Sequence, residues 1–152
     1  MRFRVATRVA QSPETVFPVF GDKAFVQSLA PGFMGLEIVR IGLDLDDEIE
    51  VRFTKLGPRG PWVSRIVSLD RGAAGITFVD RSIQLPWPYA AFEHHHGILA
   101  DGSGSNLVDE PTFTVRPRLL GPILGPIVWL FLRWSFVARG RAYRARFGPP
   151  AG

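Results

Sequence analysis

From Leu119 to Phe147 the chain is apolar at helical spacing, and that one segment limits the folds open to it. Trp129, Leu132, Phe136, Gly140 and Tyr143 share a stripe, which needs a partner surface to cover it. Arg133, Arg139, Arg141, Arg144 and Arg146 gather toward the end, where cations suit the negative pole of a helix dipole. Residues 119–138 approach the length of a membrane span, but Pro122 and Pro126 interrupt the early part and Arg133 falls inside the run. A span would also leave the strands upstream without their covering element. The expectation is a long helix packed on a sheet, with a helix lying on a membrane surface as the lesser reading.

The strands come from shorter periodicities. "RFRVATRV" alternates, with Phe3, Val5, Thr7 and Val9 on one face. "QSPETVFPVFGD" places Ser12 as a helix N-cap with Pro13 at the first helical position, and Pro18 predicts short helical pieces over 13–28. Strand-like runs follow at 36–42, 48–55, 62–69 and 75–84, separated by turn-forming residues, as in a curved antiparallel sheet. One domain over 1–148 accounts for the chain, with 149–152 as a frayed tail.

Residues 92–113 read "FEHHHGILADGSGSNLVDEPTF". "ADGSG" has hairpin turn chemistry, and a two- or four-residue loop gives the same register. It sets Phe92 opposite Phe113, His94 opposite Pro111, His96 opposite Asp109 and Ile98 opposite Leu107. Alternation then puts Phe92, His94, His96 and Ile98 on one face with Leu107, Asp109, Phe113 and Val115. This face is the more apolar and should turn inward, leaving His95 outside. An unpaired buried polar group costs roughly 1–3 kcal/mol, so His96 and Asp109 are expected to satisfy one another across the strands. Pro111 within the second strand predicts a bulge or an edge.

Composition narrows the chemistry. The chain of 152 residues is 46% hydrophobic and 21% charged, as a globular protein is. It has no cysteine, which excludes disulfides, thiolate metal sites and cysteine nucleophiles. The start "MRFRVATRVA" lacks the apolar core of a signal peptide, so a cytoplasmic setting is expected. Net charge is +4, carried almost wholly by scattered arginines, and no nucleic-acid partner is expected. The C-terminal arginine cluster leaves open a weak contact with an anionic membrane surface.

Quoted together, "FEHHHGILADGSGSNLVDEPTFTVRPRLLGP" and a helix ending "FLRWSFVARGRAY" resemble the START-like helix-grip superfamily, often labelled SRPBCC. The similarity lies with its bacterial polyketide cyclase/dehydrase and lipid-transport-like branch. "SPETVFPVFGD" resembles the superfamily's opening helix, and "PWVSRIVSLD" and "ITFVDRSIQLPWP" two of its middle strands. The resemblance implies an α+β fold in which a curved antiparallel sheet grips the C-terminal helix, with a cavity between them for a hydrophobic ligand. The aromatic usual in the superfamily's later strand corresponds to Thr112 or Phe113.

On that basis the expected occupant is a lipid, polyketide, isoprenoid or quinone-like molecule, carried or sensed. The aromatics Phe53, Trp62, Phe78, Phe92, Phe113, Trp129 and Phe136, with Leu132, are candidate lining residues, and His94, His96 and Asp109 the candidate polar contacts. The alternative is a cyclase or dehydratase that moves a proton through His96 and Asp109. Asp80, Arg81 and Gln84 stay ambiguous. Histidines two apart with Asp109 as third ligand have a zinc-like arrangement, but no further histidine or second acid stands out, and no metal or other cofactor is expected.

Overall fold

Strand-sized segments pair mainly with their neighbours in sequence and build one sheet. The computed structural model describes residues 1–117, 119 and 121–150. The strands are β1 (Val5–Val9), β2 (Leu36–Arg40), β3 (Glu48–Phe53), β4 (Trp62–Gly72), β5 (Gly75–Gln84), β6 (Tyr89–Asp101) and β7 (Gly104–Val115). Their order is β1-β7-β6-β5-β4-β3-β2, antiparallel throughout. Register shifts at Ile38/Arg40, Val63/Ser64, Ile66/Ser68 and Tyr89/Ala91 interrupt the ladders. Such irregularities add local twist, and they curl the sheet into a half-barrel. The four middle strands expected from periodicity all form, within a few residues of the expected limits.

The β6–β7 hairpin has the expected register, including His96 opposite Asp109 and Phe92 opposite Phe113. Gly102 in its turn has φ of 62°, a left-handed conformation that glycine adopts without penalty. Pro111 makes neither a bulge nor an edge. It pairs with His94 inside a strand flanked on both sides, and its carbonyl accepts from Phe3 N at 3.4 Å on the β1 side. In an antiparallel strand the N–H and C=O of one residue point the same way. The missing N–H of Pro111 therefore falls toward β1, where the ladder is already thin, and the β6 register survives.

Three short helices follow β1: α1 (Pro13–Val16), a 3₁₀ helix (Phe17–Gly21) and α2 (Lys23–Ser28). Ser12 holds the N-cap position, although its hydroxyl meets Thr15 Oγ1 at 3.3 Å instead of a backbone amide. Asp22 caps α2, accepting from the N–H of Ala24 at 2.9 Å and of Phe25 at 3.3 Å. Helices this short do not persist alone. Their buried Val16, Phe17, Phe20 and Phe25 hold them against Ile66, Phe78, Ile98, Tyr143 and Phe147, each buried phenylalanine contributing about 1.5–3 kcal/mol.

α3 (Gly121–Phe147) lies across the concave face. Leu132, Ser135, Phe136, Gly140, Tyr143 and Phe147 are its buried stripe. Gly140 is where it approaches β1 most tightly: a Cβ there would stand 3.0 Å from Thr7 Oγ1. α3 is long and apolar enough to cross a membrane, yet it is the gripped helix of this half-barrel. Phe3, Tyr89, Phe92, Phe113 and Val115 form a second apolar cluster with its Leu132 and Phe136. Between the two clusters runs a polar seam. Of the expected tail, Pro149 and Pro150 are exposed, while Ala151 and Gly152 lie outside the described residues.

Candidate functional site

The seam opens into a cavity of about 190 Å³ between the sheet and α3. Its walls are Phe20, Leu29, Met34, Ile38, Leu43, Ile49 and Val51 on one side and Leu132 and Phe136 on the other. Phe131, 36% exposed, brings it to the surface. The buried end is polar: Ser64, Asp80, His94 and His96, with Ser135 and Arg139 reaching in from α3. An apolar cavity of about 150 Å³ takes benzene, so this one accepts a small ring or an alkyl end, and a longer molecule would extend through the mouth.

Strand pairing explains how the polar end is assembled. His94 has Asp80 opposite it on β5, and His96 has Asp109 opposite it on β7. The hydrogen bonds cross these pairings. His94 Nε2 meets Asp109 Oδ1 at 2.9 Å, and His96 Nε2 meets Asp80 Oδ2 at 2.8 Å. The expected direct His96–Asp109 bond is not the one formed, since His96 Nδ1 stays 3.7 Å from Asp109 Oδ1. Ring packing explains the crossing. His96 lies flat on Phe78, its other cross-strand neighbour, at 4.1 Å and 7° between planes, and His94 stacks beside it at 3.6 Å between centroids. Phe136 meets His94 edge-on at 5.0 Å.

The electrostatics follow from burial and these bonds. Burial pushes the Asp109 carboxyl up, but the His94 hydrogen bond and charge, with Arg139 behind, prevail and hold it down at about 2. Burial also disfavours a charged His94, and nearby His96 adds to this; together they outweigh both carboxylates and bring His94 down to about 4. Near neutral pH, a neutral His94 therefore donates its Nε2–H to an ionised Asp109. Asp80 is likewise held below its ordinary value: burial opposes, while the His96 bond and charge prevail. The Tyr143 hydroxyl donates to Asp109 Oδ2 at 3.4 Å, and burial raises its pKa strongly. Arg139 packs its guanidinium 3.7 Å over Phe136, and its Nε is buried with no partner among the described residues.

The structure gathers eight of the expected site residues on this cavity: Phe53, Trp62, Phe78, Phe92, His94, His96, Leu132 and Phe136. Three stand off it. Asp109 sits behind His94, Phe113 is enclosed with Tyr89 and Phe92, and Trp129 donates its indole N–H to the Arg2 carbonyl at 3.1 Å. His95 is exposed and bonds Glu93 at 2.9 Å. Asp80 joins the polar end, supplying the second acid that was missing from the sequence reading. Its signal was alternation, because Ile76, Phe78 and Asp80 share a face. Arg139 was read only as part of a helix-end cluster.

No protein-family model matches the sequence, and no curated protein sequence does either. Solved structures do match. A Thermus thermophilus protein, TTHA0849, superposes with a TM-score of 0.71 at 16% identity, covering 97% of each chain. The Zhui aromatase/cyclase from a Streptomyces species gives 0.65 at 17% identity, over 95% of this chain and 94% of that one. Norcoclaurine synthase from Thalictrum flavum, in complex with dopamine and hydroxybenzaldehyde, gives 0.61 at 14%, over 93% and 84%. The curled seven-stranded sheet, the long gripped helix and these likenesses define the class: the chain has an α+β helix-grip fold.

Proposed function

We propose that this protein binds a hydrophobic small molecule that carries an oxygen-bearing end, and acts as its carrier or sensor. The apolar walls take the body of the ligand. The polar end belongs at His96, Asp80 and Arg139, and the carrying observation is that these few polar groups converge at one end of an otherwise apolar cavity. Apolar walls with a few convergent polar groups are the usual make-up of a small-molecule site, so an oxygen-bearing end of the ligand would meet them. Lipid, polyketide, isoprenoid and quinone-like molecules all fit this description. Native mass spectrometry of untagged protein tests it: a dissociable organic adduct is expected, together with displacement of anilinonaphthalene sulfonate by the same compound. Protein that arrives clean and takes up no apolar probe sinks the reading.

One observation favours catalysis as a second reading. His96 faces the cavity while bonded to Asp80 at 2.8 Å, a carboxylate-oriented imidazole of the kind used for proton transfer. The dyad is His96–Asp80, in place of the His96–Asp109 pair read from sequence. Two neighbours in fold, the aromatase/cyclase and norcoclaurine synthase, are enzymes. Deuterium exchange at the carbon next to the carbonyl of a bound aryl ketone is the readout, and loss of that exchange in His96→Gln is the expected result. An exchange rate equal to that of buffer removes the enzyme reading and leaves the carrier.

The outer face of α3 bears on where the ligand is handed over, and we assign it to an anionic bilayer. Ile123 is 69% exposed, Leu130 62% and Trp134 51%, and Ile127 and Val137 are exposed with them. After Glu110 the sequence has no acidic residue, while Arg116, Arg133, Arg141, Arg144 and Arg146 are all exposed. That charge would repel a second copy of the same helix and attract anionic lipid. Sedimentation with phosphatidylglycerol vesicles, and not with pure phosphatidylcholine, is expected. Equal behaviour toward both, or a concentration-dependent dimer in their absence, overturns the assignment.

A further inference from the structure

The crossed bonds at the polar end leave three donor atoms aimed at one point. Asp109 is a carboxylate and can only accept, so the His94 nitrogen that meets it, Nε2, carries the proton, and Nδ1 of the neutral ring is bare. His96 has its Nδ1 toward the same Asp109 oxygen at 3.7 Å. His96 Nε2–H donates to Asp80 Oδ2 at 2.8 Å; an ion would take the place of that proton, leaving the ring as its Nδ1–H tautomer. Nδ1 of His94 and Nε2 of His96 then face the same Asp80 oxygen, at 3.8 and 2.8 Å. One donor atom from each of the three residues lies within 4.8 Å of the other two.

We propose that Asp80, His94 and His96 hold a divalent first-row transition ion at the buried end of the cavity, and that Asp109 orients the His94 imidazole from behind. Bonds of about 2.0–2.2 Å from nitrogen and carboxylate oxygen place neighbouring donors roughly 3–3.5 Å apart. Side-chain shifts on the order of 1 Å close the set. Two imidazoles with one carboxylate suit zinc, iron, manganese or cobalt, whereas magnesium and calcium prefer oxygen alone. A carboxylate behind a ligating histidine is the usual support for its tautomer and direction. Here Asp109 serves the His94 ring, and the two rings are further held by Phe78 and Phe136. The protein ligands come from the strands, so the free coordination positions open to the cavity, where the oxygen end of a ligand would enter. In that last respect the inference rests on the carrier reading; the binding of the ion itself does not.

Untagged protein stripped with EDTA and titrated with cobalt(II) tests the site by calorimetry and visible absorption. One equivalent of cobalt with visible bands, displaced by zinc(II), is expected. Asp80→Asn, His94→Gln and His96→Gln should each weaken binding by about 100-fold or more, and Asp109→Asn by roughly 10–100-fold, with His95→Gln unchanged. In wild-type protein, which needs no substitution to fold, zinc should move the imidazole resonances of His94 and His96 and leave those of His95. No stoichiometric cobalt or zinc uptake by folded wild type overturns the inference, as does uptake indifferent to those three changes. Anilinonaphthalene sulfonate binding to the stripped protein is measured alongside. Probe bound without metal keeps the carrier and rejects the ion; metal bound without probe does the reverse.

Discussion

Phe136 and Trp134 stand two residues apart on α3, one 3% exposed and the other 51%. The faces they represent depart from the ordinary amphipathic pattern in opposite directions. Toward the sheet, Phe136 and Leu132 share the helix with Ser135 and Arg139, which line the cavity together with His94, His96 and Asp80. Away from it, Ile123, Ile127, Leu130, Trp134 and Val137 are exposed. A helix kept only to cover a sheet would put its charges outside and nothing polar within. Scattered surface hydrophobics need no explanation, but buried polar groups and a continuous exposed apolar face do. The inner departure points to an occupant of the cavity, and the outer one to a surface beyond the molecule.

The largest effect separates the two aromatics themselves. Phe136→Ala removes a ring that packs on Phe3, on His94 and under Arg139. It should cost about 3–5 kcal/mol. Trp134→Ala removes only exposed ring contacts, a stack on Phe33 and a tilted contact with Phe131, and should stay within about 0.5 kcal/mol. Denaturant midpoints measure both. A similar loss in the two variants would mean that the outer face is packed against something in solution.

Next in size is the polar seam. Asp109→Leu strands two buried donors, the His94 Nε2–H and the Tyr143 hydroxyl. At roughly 1–3 kcal/mol for each, the loss should be about 3 kcal/mol. Adding His94→Leu and Tyr143→Phe should recover much of it, because an apolar replacement of a whole buried network is often close to neutral. Failure of the triple variant to recover would show that the seam is needed for the fold and not only for its occupant.

How much of this was legible from sequence differs between the same two regions. The hairpin register followed from a period of two and from "ADGSG", because one slip would turn every side chain over. Register fixes which Cβ atoms face one another and leaves rotamers open. The His94–Asp109 and His96–Asp80 bonds depend on Phe78 claiming one face of His96, which no spacing in β6 or β7 reveals. Asp80 arrives through a separate hairpin with a register shift at Ile66/Ser68, so its place beside His94 needed three dimensions. Met34, Ile38, Leu43 and Ile49 look like any core residues; only the gap between them makes a wall. On α3 the stripe was plain, while the exposure of the other face depended on how wide the sheet closes around it.

Acid should act on the seam by a smaller, graded amount. His94 titrates at about 4 when folded, below its ordinary 6.5. Between those values the unfolded chain takes up a proton that the folded one does not. Stability is therefore full above pH 6.5 and falls as pH drops toward 4, by at most about 3 kcal/mol. Unfolding midpoints across that window should show the slope in wild type and a flatter one in His94→Gln. An unchanged slope would move the titration to another group and weaken the assignment of His94 as the neutral donor.

The smallest effect on stability is expected where the effect on behaviour is large. Leu130→Glu and Trp134→Glu place carboxylates on an exposed face and should change unfolding by no more than about 0.5 kcal/mol. Uptake of an apolar probe should also persist, since neither side chain lines the cavity. Vesicle binding should fall sharply, because each change removes apolar area from the lipid boundary and adds a charge that anionic headgroups repel. Charge reversal alone, as in Arg141→Glu, should weaken binding most at low salt, where screening is least. If the glutamate variants bind vesicles as wild type does, the outer face has another partner, and the opposition between the two faces of α3 loses its functional meaning. If they lose vesicle binding while keeping the probe, the inner face holds the ligand and the outer face meets the membrane through separable sets of residues on one helix.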